Sequence, residues 1–189
     1  MMQTRMLRML AAAGFLFATL AGGAAQAQTD TTRARTAPGA LSPAAKLQRA
    51  DHGMLRDIAQ ANMAEIATGK LALEKSQDGE VKKFARMMVD DHSAALKDVQ
   101  QLAQAKDATL PSEPDSRHKA AMKAMQALDG ARFDRQYMSQ AGVGDHRKTR
   151  TLLQKVQASA KDSDLKALAG KMLPVVEQHL SHAEQMAKK

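Results

Sequence analysis

The chain has no cysteine. That excludes a disulfide framework and any thiolate chemistry. It has no tryptophan, one tyrosine and four phenylalanines, too few aromatic rings to build a stacking platform for nucleic acid. No dense basic block compensates for that shortage, so nucleic acid is not expected as a partner. Glycine-rich phosphate loops and nucleophile-elbow patterns are missing, and Ser-His-Asp chemistry has no identifiable nucleophile. The repeated alternation of a membrane β-barrel is absent as well. Long hydrophobic runs are scarce: residues 9–20 (MLAAAGFLFATL) fall short of the roughly 18 to 20 residues that a spanning helix needs.

That short run has an address value. Arg5 and Arg8 precede it, and Ala25-Gln26-Ala27 follows as an A-x-A cleavage site. This is the layout of a secretory signal peptide over residues 1–27. The mature chain is therefore expected to start at Gln28, with no spanning segment, and to be periplasmic or secreted. No cysteine follows Ala27, so no lipid-modified N-terminus is expected. Loss of Arg5 and Arg8 lowers the formal charge from +8 to +6. Part of the excess sits at Arg33, Arg35, Lys46 and Arg49, and the other cations are interspersed with acids. A weak attraction to anionic envelope surfaces is the partner this charge implies.

Residues 28–45 (QTDTTRARTAPGALSPAA) have no apolar period and read as a disordered tether. Residues 46–189 read as one helical domain. A first helix begins between Pro43 and Asp51 and carries Met54, Leu55, Ile58, Asn62, Glu65, Ile66, Gly69, Ala72 and Leu73 on one stripe, with Asn62 and Glu65 its polar members. A turn at Ser76-Gln77-Asp78-Gly79 ends it. The second helix, to about Ala105, has the strongest amphipathic pattern: Val81, Phe84, Ala85, Met88, Ala95, Leu96, Val99 and Leu102. His92 lies on that stripe, where an unpaired imidazole costs a few kcal/mol.

Residues 107–130 contain Pro111 and Pro114, a short amphipathic piece over 118–128, and a closing Asp129-Gly130. A third helix over about 131–160 turns Phe133, Tyr137, Ala141, Asp145 or His146, Thr149, Leu152, Leu153 and Val156 inward. Gly142 and Gly144 weaken it by up to about 1 kcal/mol each unless a neighbouring backbone needs the space. After a turn at 161–164, a fourth helix places Leu165, Leu168, Met172, Val175, Val176, His179, Ala183 and Met186 on one side, and Pro174 is expected to kink it. Two short turns and one long middle connection imply an all-α, ferritin-like four-helix bundle, with a crossover between helices two and three. A faint repeat supports paired hairpins: residues 75–85 align with 159–169, matching Asp78 to Asp162, Val81 to Leu165 and Ala85 to Ala169.

Each helix carries one strong ligand candidate: Glu65, His92, His146 and His179. Glu65 and His92 flank Asp78 by about 14 residues, roughly 20 Å, and His146 and His179 flank Asp162 by about 16, roughly 25 Å from the other end. In a bundle about 40 Å long the four meet near the middle. Asp91 and Asp145 are the nearby carboxylates. Two readings follow. One is a transition-metal site for iron, copper, zinc or manganese. The other is a metal-free buried network with Asn62 and Tyr137. The Glu-x-x-His pattern of di-iron bundles is missing, because Val89, Val143 and Val176 stand three residues before the histidines. His182 is expected at the surface, and His52 and His118 solvated near helix starts. The methionines on the stripes read as core filler.

The segments NMAEIATGKLAL, VKKFARMMVDDHSAAL, GARFDRQYM, GDHRKTRTLL and LKALAGKMLPVVEQHLSHAEQM resemble the bacterial family called domain of unknown function 4142. Glu65, Asp91-His92, Phe133-Asp134, Tyr137, His146 and Leu173-Pro174 with His179 carry the resemblance, which spans about residues 41–188. It implies an exported ferritin-like bundle, in a family sometimes labelled outer-membrane proteins, and names no activity. The sequence thus leads to an envelope protein of structural or stress-related, non-catalytic role with a buried Glu/His cluster. The alternatives are a metal-binding or metal-dependent redox bundle, and a small-molecule module between the helices.

Overall fold

The computed structural model describes residues 45–188. The expected signal peptide and all but the last residue of the expected tether lie outside them. Helices α1 (Arg49–Lys75) and α2 (Gly79–Ala105) form the first hairpin. A short helix α3 (Ser116–Gln126) lies in the connection that follows. The third long run is assembled from α4 (Gly130–Tyr137), a π-helical segment (Met138–Asp145) and α5 (His146–Ser159). Helix α6 (Ser163–Met186) closes the second hairpin and contains Pro174.

The hairpin turns show why the repeat is there. Asp78 caps α2 by accepting from Glu80 N at 2.8 Å and Val81 N at 3.0 Å. Asp162 caps α6 in the same way, from Asp164 N at 3.0 Å and Leu165 N at 2.9 Å. Each aspartate satisfies two of the N–H groups that a helix start leaves without a partner. The last residue before the connection's end, Asp129, leads into Gly130, whose φ of +53° suits glycine.

Two ties fix the direction of every helix. At one end, Lys75 Nζ reaches Asp129 Oδ1 at 2.8 Å and Gln126 O at 2.9 Å, joining the end of α1 to the start of α4. At the other, buried Lys106 pairs with Asp162 at 2.8 Å and Asp164 at 2.7 Å. There Asp51 Oδ2 also accepts from Lys161 N at 2.8 Å and Asp162 N at 2.7 Å. The end of α2 and the end of α5 therefore meet at the same end. Helices two and three run parallel, and the connection carrying α3 returns along the bundle against α1 and α4. This is the single-crossover, ferritin-like arrangement that the loop lengths imply. Among the described residues no helix is long and apolar enough to cross a membrane.

The apolar core is in two parts. One surrounds Leu55, Ile58, Val99, Leu102, Leu153, Val156 and Leu165 at the Asp51 end. The other surrounds Phe84, Met88, Phe133, Tyr137, Met138 and Ala183 at the Lys75 end. Between them lies a buried polar layer containing Asn62, Glu65, His92, His146, Thr149 and His179.

Three local expectations need correction. The third helix is not continuous, since the π segment interrupts it. Val175, placed on the inward stripe of α6, is 40% exposed while its neighbour Val176 is buried. The outlying histidines are less exposed than expected. His52 Nε2 bonds Thr109 O at 2.9 Å, His118 pairs with Asp115 at 2.9 Å, and His182 packs edge-on against Phe84 with ring centres 5.5 Å apart.

Candidate metal centre

The structure brings Glu65, His92, His146 and His179 together in the polar layer, each 4% exposed or less. Regular helical spacing puts Glu65 on the inner face of α1, His92 on that of α2 and His179 on that of α6. His146 arrives differently. The π segment has hydrogen bonds that reach one residue further than in an α-helix, so each turn is wider. Adjacent pairs, four residues apart, are all buried there: Tyr137 and Met138, Ala141 and Gly142, Asp145 and His146. Gly142 makes room for this, because a Cβ there would lie 3.1 Å from both Ala183 Cβ and Met138 Cε.

Each histidine has one nitrogen anchored to an oxygen. Asn62 Nδ2 donates to Ile58 O at 2.8 Å, which leaves Asn62 Oδ1 to accept from His92 Nδ1 at 2.9 Å. His146 Nδ1 donates to Ala141 O at 2.8 Å. His179 Nε2 donates to Asp91 Oδ2 at 2.9 Å. A neutral imidazole with one nitrogen donating carries its lone pair on the other. The free lone pairs are thus on His92 Nε2, His146 Nε2 and His179 Nδ1. The first two face each other at 3.4 Å, with no proton assigned between them. The third is buried without a partner. One ring nitrogen from each histidine lies within 4.8 Å of the others, and the ring centres are 5.4, 5.5 and 5.4 Å apart.

The electrostatics keep the rings neutral. Burial, reinforced by His146 and His179, holds the His92 pKa well below its ordinary 6.5. Burial lowers His146 to about 4, and it lowers His179 despite the hydrogen bond to Asp91. Glu65 is pushed well above its usual range by burial and by the nearby charge of Asp145. The 3.6 Å approach of Glu65 Oε1 to His146 Nδ1 is consequently not an ion pair. It is too long for a hydrogen bond, and that nitrogen already serves Ala141. Glu65 Oε2 and Tyr137 Oη are both buried without partners.

The two neighbouring aspartates divide. Asp91 does not turn toward the rings' free nitrogens; it holds His179 from the half-exposed rim. Asp145 is buried but pairs outward with Lys148 at 2.9 Å, and its charge acts on both Glu65 and His146. The carbonyl of Ala141 is a partner that reading the sequence missed. Its only signal was the Gly142-Val143-Gly144 interruption, which marks a place where an α-helix is weak. Chemically, three neutral imidazoles oriented by outer oxygens form a donor set suited to a first-row transition ion.

The fold has solved counterparts. CopM in its Cu(II)-bound form superposes with a TM-score of 0.61 at 15% identity, over 73% of this chain and 95% of CopM. A proposed spore coat protein from Bacillus halodurans C-125 gives a TM-score of 0.63 at 12% identity, over 76% of this chain and 89% of that one. At such identities the likeness is one of fold. No curated protein matches the chain. The family model described as a domain of unknown function (DUF4142) matches residues 36–186, nearly all of the helical domain and the stretch leading into it, and the chain belongs to that family.

Proposed function

We propose that this protein binds one transition-metal cation through His92, His146 and His179, with Glu65 a buried carboxyl beside His146. The observation that carries this reading is the trio of converging lone pairs. Two of them oppose each other at 3.4 Å and the third has no partner. Two acceptors face to face repel, and an unpaired buried polar atom costs about 1–3 kcal/mol. A cation at their meeting point removes both penalties. A metal-free network is the weaker account, because it leaves His179 Nδ1 unsatisfied and the two Nε2 lone pairs opposed. Imidazole donors suit copper and zinc better than manganese, which prefers oxygen. CopM shows copper bound in a protein of this fold, so copper is the first ion to test.

Metal analysis of untagged protein is the direct experiment, with about one equivalent as the expected result. Saturating metal at a hundredfold excess over Kd should stabilise the fold by about 2.7 kcal/mol, raising Tm by roughly 5–10 °C. His92→Ala, His146→Ala or His179→Ala should each abolish that rise. A Tm indifferent to copper, zinc, iron and manganese would refute metal binding. For location, we propose export with cleavage after Ala27, in keeping with Arg5, Arg8 and the A-x-A site. Intact mass of periplasmic protein checks this, and a species retaining residues 1–27 contradicts it.

A further inference from the structure

The three histidines are not equally enclosed. A cleft of about 290 Å³ opens between α2 and α6 and reaches His92 and His179. Glu65 and His146 do not line it; they close the centre from α1 and α5. The inner walls are apolar, formed by Ala95, Met172 and Val176, with exposed Val175 toward the outside. The rim is charged. Asp98 is paired with Lys171 at 2.7 Å. Asp91 has a side chain 46% exposed, yet it touches the ring of His179, which is 2% exposed. One carboxylate thus stands in water and one hydrogen bond from a buried candidate ligand.

We propose that this cleft is the port through which the cation enters and leaves, with Asp91 as the first carboxylate it meets. The inference rests on the metal-binding reading and makes the centre an exchangeable one. A closed structural site has no path to solvent; loading it means opening the bundle. Here the path ends on two of the three rings. Lys171 offsets Asp98, which leaves Asp91 as the unbalanced charge at the mouth, of the sign that attracts a cation. His179 keeps its inward nitrogen free while its outer nitrogen holds Asp91, so delivery needs no rotation of the ring.

A port alters a barrier and leaves its end states alone, and the test uses that difference. Copper(II) or zinc(II) is loaded into the full mature protein by stopped flow and then stripped with a chelator. Val175→Trp, at an exposed position, puts bulk in the mouth, and Ala94→Trp is an independent second plug. Both variants should slow loading and stripping by about tenfold or more, by the same factor, with Kd unchanged. Lys171→Glu should speed loading several-fold at low salt, and the gain should fade as salt is added. If the wild type takes up no stoichiometric metal, the binding reading and the port fall together. If metal binds but both tryptophan variants, folded by circular dichroism, exchange it at wild-type rates, the port alone is overturned.

Discussion

The chemistry of this molecule is concentrated in three imidazoles that the fold holds neutral. Their acid sensitivity follows with a definite sign. An unfolded His146 takes a proton below its ordinary 6.5, whereas the folded ring waits until about 4. The stability it contributes is intact above about pH 6.5 and is lost as pH falls toward 4, by about 3 kcal/mol at the end of that window. His92 and His179 are lowered too and act in the same direction. Glu65 opposes them, because its folded carboxyl keeps a proton that the unfolded chain releases above 4.5. Three groups against one predict that the urea midpoint of the metal-free protein falls between pH 6.5 and 4.5, and that His146→Gln flattens the slope. An unchanged midpoint across that range in Glu65→Gln, which removes the opposing carboxyl, would contradict the neutral-ring assignment. The positions of Glu65, His92, His146 and His179 were legible from helical rise and two short turns alone. Which nitrogen of each ring points inward was not, because that depends on acceptors such as Ala141 O that no spacing reveals.

At the level of the element, the third helical run is where pattern reading was least complete. Phe133, Tyr137, Thr149, Leu153 and Val156 keep a helical spacing and were read correctly as inward. The stretch between them offered both Asp145 and His146, and the structure buries both. Gly142 and Gly144 gave a penalty without saying how the chain would use it. The extra residue in the π segment is what lets His146 face the centre and bond Ala141 O five residues back. Deleting Gly144 should restore ordinary helical winding, remove that bond and cost the metal-dependent rise in Tm. Far-UV circular dichroism should stay near wild type, since helix is exchanged for helix. A deletion variant that still binds metal as tightly would show the π segment to be incidental. The capping aspartates were the opposite case. Asp78 and Asp162 were visible as a repeat in sequence and occupy equivalent positions in structure, because a hairpin turn and its cap are local chemistry.

For the molecule as a whole, topology rests on ties at its two ends. Parallel helices two and three followed from loop lengths, but the residues that lock the arrangement were not predicted. Asp51 is 1% exposed and accepts two backbone N–H groups more than a hundred positions away, at Lys161 and Asp162. Nothing local in the sequence marks such a contact. Asp51→Ala strands both donors and should cost about 1–3 kcal/mol, read as a lower Tm without loss of metal binding. The division of the core into two apolar halves has a consequence for how the bundle breathes. Cooperative opening follows contiguous packed units, and the polar layer is a waist between two of them. In the metal-free protein, backbone amides flanking Asn62 and His92 should exchange with deuterium sooner than those beside Leu55 or Phe84. A cation gripping α2, α5 and α6 at that waist would stitch the halves into one unit, and the fast-exchanging band would vanish.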